Sequence, residues 1–528
     1  MAAVSFDPAS YMVPTRVVRD GGGWNNSSSL LSVSADAAGA KRGDGVGFAG
    51  REEFNAMDES SLSQVGNVCS EIVPRGLCIG CGVCSGLCPV DNLCMEWTVE
   101  GMMQPVDQGK CLPECHRCLH VCPFADQTED EDVIANACFG DVPGIQRTSE
   151  VGWHLKSYVG FAGGSYREHG ASGGMASWFL ASLLESGEVD RVVCVSPQSD
   201  PEQLFSYQIA ADAEKVRASA KSAYYPVELS KVIRTIRLEP GRYAVIGLPC
   251  ALKGLRLAMK ADKRLQDRVA VVIGLVCGQT KSRAFTEHLI RSQGLDPLHV
   301  SSFSFRNKDL RKSASDYFAE ISTPMESAVL PWNSLYGRTW LNGEFTPKSC
   351  LFCDDIFSEV ADAVFMDAWL PEFIRDAKGT SIVLTRSPNA LHVIEYGAEL
   401  GHVVLSPLSL DKVSASQWGV VEQKRKQLAH RLWLAAESGV CIRKRVAPVR
   451  PSLLARQVLL ARENLRQVSH KAFREAVNSA SDPLQTYNLL TRTARFRLKG
   501  ILVLERYYKR AKAVASKLLR FIRRETSL

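Results

Sequence analysis

Short apolar runs alternate with helical patterns along the middle of the chain. Residues 191–195, 243–247 and 269–274 are rich in valine, isoleucine and alanine, as in strands that are buried on both faces. Between these runs, apolar residues at 175–185 and 251–260 recur at helical spacing. Strands that alternate with helices predict an α/β (mixed α+β) fold with a partly parallel sheet.

The two ends of the chain follow other patterns. Residues 1–68 are rich in glycine, serine, alanine and aspartate without a sustained period, which predicts a disordered segment. Helical spacing returns after Pro451, and Pro483 separates two long segments there. The predicted regions are the disordered segment (1–68), a small cysteine-rich module (69–140), an α/β domain (150–420) and a basic helical extension (450–528).

Charge is concentrated at the C-terminal end. The whole chain has a formal net charge of +6, but residues 451–528 hold 17 Lys and Arg against 5 Asp and Glu, a surplus of 12 that leaves −6 for the rest. A basic amphipathic helix suits contact with an anionic membrane surface or an acidic partner, and a helical cap with a solvated basic face fits the same pattern. No recognised nucleic-acid-binding module accompanies the charge, so nucleic acid is not expected as a partner.

Composition favours a soluble protein in a reducing compartment. The N-terminus lacks a basic stretch followed by an apolar one, so the seventeen cysteines are expected to be reduced or to hold metal. No stretch approaches the roughly 18 to 20 apolar residues of a membrane span. We therefore predict a cytoplasmic protein.

Eight of the cysteines form two arrays, each followed by proline. The arrays are Cys78-x2-Cys81-x2-Cys84-x3-Cys88 and Cys111-x3-Cys115-x2-Cys118-x3-Cys122. A loop with two residues between cysteines turns three thiolates toward one cubane cluster, and in the bacterial two-cluster pattern the last cysteine of each array ligates the other cluster. The predicted ligand sets are therefore Cys78, Cys81, Cys84 and Cys122 for one cluster, and Cys111, Cys115, Cys118 and Cys88 for the other.

This spacing predicts a bacterial-type ferredoxin module with two [4Fe-4S] clusters. Zinc ribbons and disulfides are alternatives for Cys-x2-Cys pairs, but the duplicated pattern with two Cys-Pro endings disfavours zinc. The second array opens with three intervening residues where two are usual, which could move Cys111 out of the ligand set. Five other cysteines are not expected to be ligands: Cys69, Cys94, Cys138, Cys194 and Cys441.

Four further cysteines lie in the predicted α/β domain. Cys250 and Cys277 follow two of the predicted strands, and Cys350 and Cys353 form a Cys-x2-Cys pair. Ligands collect at the carboxyl ends of strands in open α/β sheets, so these four thiolates could form a third cluster site at one rim. Buried apolar cysteines and a redox-active Cys350/Cys353 dithiol are the alternatives.

A glycine-rich stretch, Gly170-Ala171-Ser172-Gly173-Gly174, comes directly before the helical pattern at 175–185. Glycines allow close approach of a ligand, and amides at a helix N-terminus suit a diphosphate or the edge of a flavin ring. The stretch is not a G-x-G-x-x-G motif, and a tight turn explains it equally well.

Together these stretches resemble the beta subunits of coenzyme F-420 (deazaflavin) hydrogenases and dehydrogenases, a family that includes 7-hydroxymethyl chlorophyll a reductase. The resemblance covers about residues 75–420. Its further matching stretches are Gly247-Leu248-Pro249-Cys250, Gly274-Leu275-Val276-Cys277, Phe305-Arg306-Asn307-Lys308, Lys348-Ser349-Cys350-Leu351-Phe352-Cys353-Asp354, Ala361-Asp362 and Asp367-Ala368-Trp369.

The resemblance implies an FAD-binding domain with a [4Fe-4S] cluster close to the flavin. Carried onto this chain, Ser172, Gly173 and Gly174 would line the flavin, and Arg306 and Lys308 would hold FAD phosphates or an anionic substrate. The four cysteines of the α/β domain would bind the cluster. This chain has Ser222-Ala223-Tyr224 where many relatives read Ser-Lys-Tyr, with Lys221 just upstream, so the role of that family lysine is not carried over.

The expected function is an iron–sulfur flavoprotein oxidoreductase. Electrons would pass between a ferredoxin or another electron-transfer protein, the clusters and FAD, which would exchange a hydride with a small organic acceptor such as a deazaflavin. The alternatives are a flavin reductase that acts on a glycan or sugar-nucleotide precursor and a non-catalytic electron-transfer subunit of a larger complex.

Overall fold

The computed structural model describes residues 66–525, with side chains up to residue 516. Most of the segment predicted to be disordered, residues 1–65, lies outside the described residues.

The two cysteine arrays lie on short elements joined by tight loops. β1 and β2 pair as an antiparallel hairpin, and the loops around them place the cysteines. Val83 and Leu87 are buried in one apolar cluster with Ile233 and Leu252 from the following α/β region, so the two regions share a core. The elements are α1 (Val68–Glu71), α2 (Val83–Leu87), β1 (Leu93–Trp97), β2 (Met103–Asp107), α3 (Arg117–His120) and α4 (Glu131–Phe139).

The α/β region begins with strands and helices that alternate. All five segments predicted from the apolar pattern are present, as β6, β8, β9, α6 and α9. The elements are β3 (Gln146–Thr148), β4 (Gly152–His154), β5 (Ser157–Ala162), α5 (Ser165–His169), α6 (Met175–Glu185), β6 (Arg191–Pro197), β7 (Phe205–Ala210), α7 (Ala213–Ala218), α8 (Ser230–Leu238), β8 (Tyr243–Gly247), α9 (Pro249–Ala261), α10 (Lys263–Arg268), β9 (Val269–Leu275) and α11 (Arg283–Arg291).

The second half of this region adds a small sheet and the remaining strands of the large one. Two 3-10 helices, Pro297–His299 and Lys348–Phe352, and a π-helix, Glu422–Gln427, interrupt the regular elements. These are β10 (Ser302–Asn307), β11 (Phe318–Ser322), β12 (Ser327–Pro331), α12 (Leu335–Leu341), β13 (Ala363–Asp367), α13 (Pro371–Ile374), β14 (Ser381–Thr385), α14 (Pro388–Glu399), β15 (Val403–Pro407), α15 (Leu410–Ser416), α16 (Trp418–Val421) and α17 (Leu428–Glu437).

An eight-stranded sheet forms the centre of the α/β region. Its order is β15-β5-β14-β13-β9-β8-β6-β7, and β13, β9, β8 and β6 run parallel in the middle. The outer pairs are antiparallel. All five residues of β8 are buried, as expected for a strand covered on both faces. The fold is therefore mixed α/β, as predicted.

The chain ends in two long helices, α18 (Leu453–Val477) and α19 (Pro483–Glu525). The Ser452 side chain caps α18 by accepting a hydrogen bond from the Ala455 amide, and Pro483 begins α19, where its missing N–H costs nothing. Phe473 and Tyr487 are buried in a cluster with Phe285 and Phe345, so the first part of the extension caps the α/β region. None of the helices described is long and apolar enough to cross a membrane.

Candidate functional site

The two cysteine arrays are interleaved in space, and their assignment as ligands of two clusters stays a prediction. The electrostatic neighbours of Cys78 and Cys81 include Cys122, the last cysteine of the second array. Those of Cys111 include Cys115 and Cys88, the last cysteine of the first array. Each array thus brings three cysteines together, and the fourth comes from its partner array.

The two groups differ in the exposure of one member, since Cys118 is buried like Cys84 while Cys88 and Cys115 are half-buried. Cys84 is buried and Cys78, Cys81 and Cys122 are half-buried, whereas Cys111 is exposed. Burial raises the pKa of Cys78 to about 12. We call the Cys78/Cys81/Cys84/Cys122 set the inner group and the Cys111/Cys115/Cys118/Cys88 set the outer group.

The extra residue in the second array is absorbed by a left-handed turn. Glu114 has φ of 59°, a region that non-glycine residues rarely enter. Cys111 remains beside Cys115 and Cys88 despite the longer spacing. The irregular spacing therefore does not move Cys111 away from the outer group.

The four cysteines of the α/β region converge at the carboxyl edge of the parallel strands. Gly247 of β8 pairs in register with Gly274 of β9, and Cys250 and Cys277 each follow three residues later. The electrostatic neighbours of Cys250 include Cys353, Cys277 and Cys350. We call these four residues the rim group.

The surroundings of the rim group disfavour a redox-active dithiol. Such a dithiol needs a thiolate of low pKa, but burial raises the pKa of Cys350, one of its two members, to about 12. None of the seventeen cysteines, all within the described residues, forms a disulfide. In the same part of the chain, no three His, Cys, Asp or Glu side chains converge as the ligands of one metal ion would. A cubane instead distributes its four thiolates over four irons.

Two hydrogen-bond donors are directed at sulfurs of the rim group. The Thr280 amide donates to Cys350 Sγ at 3.5 Å, and Lys424 Nζ donates to Cys353 Sγ at 3.0 Å. Hydrogen bonds to the sulfurs and low solvent exposure are features of iron–sulfur sites. The four thiols of the rim group, with hydrogen bonds to two of their sulfurs, therefore fit a [4Fe-4S] cluster.

Lys424 was not predicted from the sequence. It lies in the run Glu422-Gln423-Lys424-Arg425-Lys426, which is typical of a solvated helix face, but its side chain is only 2% exposed. Nothing in the run signals this burial, because the contacted cysteine lies 71 residues earlier. The π-helix Glu422–Gln427 marks the place, since such turns frequently occur at functional sites.

The rim group and the inner group are in contact through their loops. Lys348 Nζ donates to the Arg75 carbonyl at 2.9 Å, and Ser349 Oγ donates to the Cys78 carbonyl at 3.4 Å. Cys81 is also an electrostatic neighbour of Cys250. Cys118 of the outer group is in turn an electrostatic neighbour of Cys84 of the inner group, so the cysteines form a continuous series from the outer group through the inner group to the rim group.

One cysteine outside the predicted sets lies beside this series. Cys69 has Cys118, Cys111 and Cys78 among its neighbours, and its thiol donates to the Pro105 carbonyl at 3.2 Å. Burial, helped by Asp107, raises the pKa of Cys69 to about 11. The Cys69 thiol thus has a backbone partner, and the expectation that Cys69 is not a ligand stays a prediction.

The glycine-rich stretch is constrained by the protein itself. Gly174 has φ of +73°, and a Cβ there would lie 2.2 Å from the Tyr166 carbonyl oxygen. The Gly173 amide donates to Ser381 Oγ at 3.0 Å, and Ser172 Oγ donates to the Thr380 carbonyl at 2.8 Å. These residues are therefore needed for a close turn before α6, whether or not a flavin binds.

Arg306 and Lys308 also have protein partners. Arg306 forms a two-pronged ion pair with Asp367, at 2.8 and 3.2 Å. Lys308 Nζ donates to the carbonyls of Arg167, Ser172 and Lys378 at 2.5 to 2.7 Å. Burial, together with Arg167 and Arg306, lowers the pKa of Lys308 to about 8. Neither cation extends unpaired toward solvent.

A small recess of about 10 Å³ opens between the glycine-rich stretch and the end of β13. Pockets for whole cofactors are typically about 300 to 1,000 Å³, so the recess in this conformation is far too small for FAD. It lies at the same carboxyl edge of the parallel strands as the rim group. Its lining residues are Ala171, Ser172, Arg306, Lys308, Ala314, Asp367, Ala368, Trp369, Phe373, Ala377, Gly379 and Thr380.

Lys221 lies close to the same stretch. Its Nζ donates to Ser304 Oγ at 3.3 Å and to Asn307 Oδ1, and its backbone has φ of 102°. The lysine upstream of Ser222-Ala223-Tyr224 therefore reaches the segment that contains Arg306 and Lys308.

Fold and site together define an α/β protein with cysteine groups that lead to a recess at the carboxyl edge of its sheet. Residues 157–234 match the N-terminal part, and residues 241–410 the C-terminal part, of the coenzyme F420 hydrogenase/dehydrogenase beta subunit. The chain belongs to this family and is thereby related to F420-dependent oxidoreductases.

Two curated proteins of Methanocaldococcus jannaschii are similar to this chain. The coenzyme F420-dependent sulfite reductase is 24% identical over 261 residues, and the alignment covers 46% of this chain and 37% of that protein. An uncharacterized protein is 23% identical over 268 residues, which cover 46% of this chain and 71% of its own length.

Among solved structures, the chain is similar to a chain of the F420-reducing [NiFe] hydrogenase complex from Methanosarcina barkeri. The sequence identity is 15% and the TM-score is 0.45, and the match covers 57% of this chain and 99% of the other.

Proposed function

We propose that this protein is an iron–sulfur oxidoreductase that moves electrons between an external protein and an organic acceptor bound near the recess. The observation that carries the proposal is the continuous series of cysteine groups that ends at the carboxyl edge of the sheet. Family membership supports the oxidoreductase class. The proposal also names a substrate. A deazaflavin such as coenzyme F420 is the candidate, because the family and one relative are named for it.

[4Fe-4S] clusters, when bound, exchange single electrons. In this proposal the outer group receives electrons because Cys111 is its exposed member, and a ferredoxin-type donor would contact that surface. The inner group passes electrons on because Ser349 Oγ donates to the Cys78 carbonyl and Cys81 is an electrostatic neighbour of Cys250. The rim group is the last cluster site before the recess in this proposed order.

FAD is part of the proposal because of the family resemblance, since a flavin can join one-electron to two-electron chemistry. Ser172, Gly173 and Gly174 would line it, and Lys308 and Arg306 would lie at the same recess. The recess as it stands does not fit whole FAD, and both cations are already paired with protein groups. Of these five residues, Ser172, Arg306 and Lys308 line the recess, and we derive no reaction step through any of the five.

The decisive experiment is anaerobic purification followed by assays of iron, acid-labile sulfide and flavin. Three clusters give about twelve irons per chain at four irons each, and a flavoprotein gives about one FAD. Iron and sulfide without FAD, even after FAD is added, would instead support the non-catalytic electron-transfer subunit. About eight irons would remove the rim cluster from the proposal.

A screen of acceptors then tests the substrate. The enzyme reduced by ferredoxin or dithionite is mixed with a deazaflavin, and its absorbance is followed under anaerobic conditions. Reduction of the deazaflavin supports the proposal. Turnover with a sugar nucleotide but not with the deazaflavin would favour the alternative flavin reductase.

A second contact is proposed for the distal part of α19, between Gly500 and Ser516. Leu504, Tyr507 and Tyr508 are 59 to 66% exposed there, while Arg506 and Lys509 belong to the basic face. A basic helix with exposed aromatic and aliphatic residues is the pattern of helices that lie on anionic membranes. Sedimentation with vesicles that contain phosphatidylserine, compared with neutral vesicles, tests this contact, and Leu504→Glu should abolish it.

A further inference from the structure

Lys424 is the only lysine among the described residues that donates a hydrogen bond to a sulfur of the rim group. Its Nζ lies 3.0 Å from Cys353 Sγ and 2.7 Å from the Asp355 carbonyl oxygen. These two contacts hold the ammonium group against the Cys350/Cys353 loop. Its low exposure excludes most of the water that would otherwise screen the charge.

The position of Lys424 is built into the fold. The π-helix Glu422–Gln427 joins α16 to α17, and it presents Lys424 inward while its neighbour Lys426 stays 63% exposed and pairs with Glu422. Leu428 and Leu432 of α17 are buried in the same cluster as Phe352 and Cys353. The helix that follows Lys424 is thus packed directly on the rim loop.

The ammonium group of Lys424 faces the sulfur of a candidate cluster ligand, with Nζ 3.0 Å from Cys353 Sγ. Burying a cation without a nearby negative charge destabilises a protein, so the contact between Lys424 and Cys353 is favourable when the rim group carries negative charge. Four thiolates around a cluster supply that charge.

We propose that Lys424 sets the reduction potential of a [4Fe-4S] cluster held by the rim group, by stabilising the additional negative charge of its reduced state. The inference rests on the proposed function, because it requires the third cluster. The step is a one-electron reduction in which the electron comes from the inner group or from a chemical reductant, and no bond is made or broken. Lys424 is a positioning and tuning residue, since it contacts a predicted ligand and not the substrate.

The expected effect follows from the sign of the charge. Lys424→Met removes the cation but keeps a side chain of similar length, so the reduced state loses stabilisation and the potential becomes more negative. We expect the equilibrium constant for reduction to fall at least tenfold, which is about 59 mV for a one-electron couple. Lys424→Arg keeps the charge and should restore most of the potential.

The test is a potentiometric titration followed by electron paramagnetic resonance on the full-length, cluster-loaded protein. The signals of the inner and outer groups act as internal references, and Lys426→Met is the matched control because it removes a nearby exposed cation from the same π-helix. A shift confined to the rim signal in Lys424→Met, absent in Lys426→Met, supports the proposal. An unchanged rim potential with full iron content overturns it.

Two further outcomes are decided by iron content. If the wild-type protein itself binds only about eight irons, the proposed third cluster fails, and this failure is distinct from that of the tuning role. If Lys424→Met loses the rim cluster, Lys424→Gln and Lys424→Arg are compared instead, because both keep a donor group. Equal potentials in these two variants would overturn the role of the charge.

Discussion

The rim group and the glycine-rich stretch lie at the same edge of the sheet but are organised in opposite ways. The rim group brings together thiols from three separate segments, and two of its sulfurs accept hydrogen bonds. The donors of the glycine-rich stretch are instead directed at the neighbouring protein backbone and Ser381. The rim group gathers four thiols in one place, whereas the glycine-rich stretch pairs its polar atoms with neighbouring protein groups. What distinguishes the rim group is therefore the meeting of four sulfurs, since Cys353 Sγ also has a backbone partner, the Asp355 carbonyl.

The largest effect is expected when the rim group loses one member. Cys350→Ser should lower iron from about twelve to about eight per chain, because a cubane needs four ligands and each cluster holds four irons. Ferredoxin-linked turnover should be lost while the signals of the inner and outer groups remain. Iron assay and electron paramagnetic resonance measure both effects, and Cys441→Ser, at an exposed cysteine, is the control.

Full iron content and unchanged turnover in Cys350→Ser would exclude a functional cluster at the rim. The rim cysteines would then be buried structural residues, and the contrast between the rim group and the glycine-rich stretch would no longer hold.

A smaller effect is expected in the glycine-rich stretch. Gly174→Ala places a Cβ in contact with the Tyr166 carbonyl, so we expect a loss of about 3 kcal/mol in the free energy of unfolding. Gly187 has nearly the same φ, +72°, and open space around it, so Gly187→Ala should cost only about 1 kcal/mol. Denaturant unfolding without added FAD measures both.

The two variants share the cost of a left-handed backbone, but only Gly174→Ala also brings a Cβ against the Tyr166 carbonyl. The difference between their losses in unfolding free energy therefore measures the effect of that contact alone. Equal losses in both would show that packing does not constrain Gly174. The stretch would then have to be explained by a ligand.

The smallest effect concerns the outer group. Glu114→Gly removes the strain of a left-handed non-glycine residue, which should stabilise the loop by about 1 kcal/mol. This corresponds to release of iron to a chelator that is slower by up to about fivefold. Glu150→Gly, at a turn outside the left-handed region, should not slow it. Faster release in Glu114→Gly would show that the glutamate side chain has a role of its own.

Much of the fold was predictable because it depends on local patterns. The apolar run at Tyr243–Gly247 predicted β8, and the helical spacing before Glu185 predicted α6. The meeting of Cys250 and Cys277 also followed from the pattern, because cysteines placed after adjacent parallel strands reach the same edge. Their assignment as cluster ligands stays a prediction.

The rest could not be predicted because it depends on contacts between distant residues. Arg306 and Lys308 were expected to hold an anion, but the partner of Arg306 is Asp367, 61 residues later, and Lys308 is surrounded by three carbonyls. Lys424 was overlooked for the same reason. A sequence shows where the charged side chains are, but it does not show whether the fold places a partner group beside each of them.

The C-terminal extension shows that a boundary of homology need not be a boundary of folding. The family match ends at residue 410, yet Lys424 lies beyond it, and Arg495 and Tyr487 of α19 bind Glu344, six residues before Cys350. Tyr487 also stacks on Phe345 with an interplanar angle of 16°. A chain shortened to the matched domain would lose these contacts along with its tail, so the appended helices help to hold the segment that leads into the Cys350/Cys353 loop.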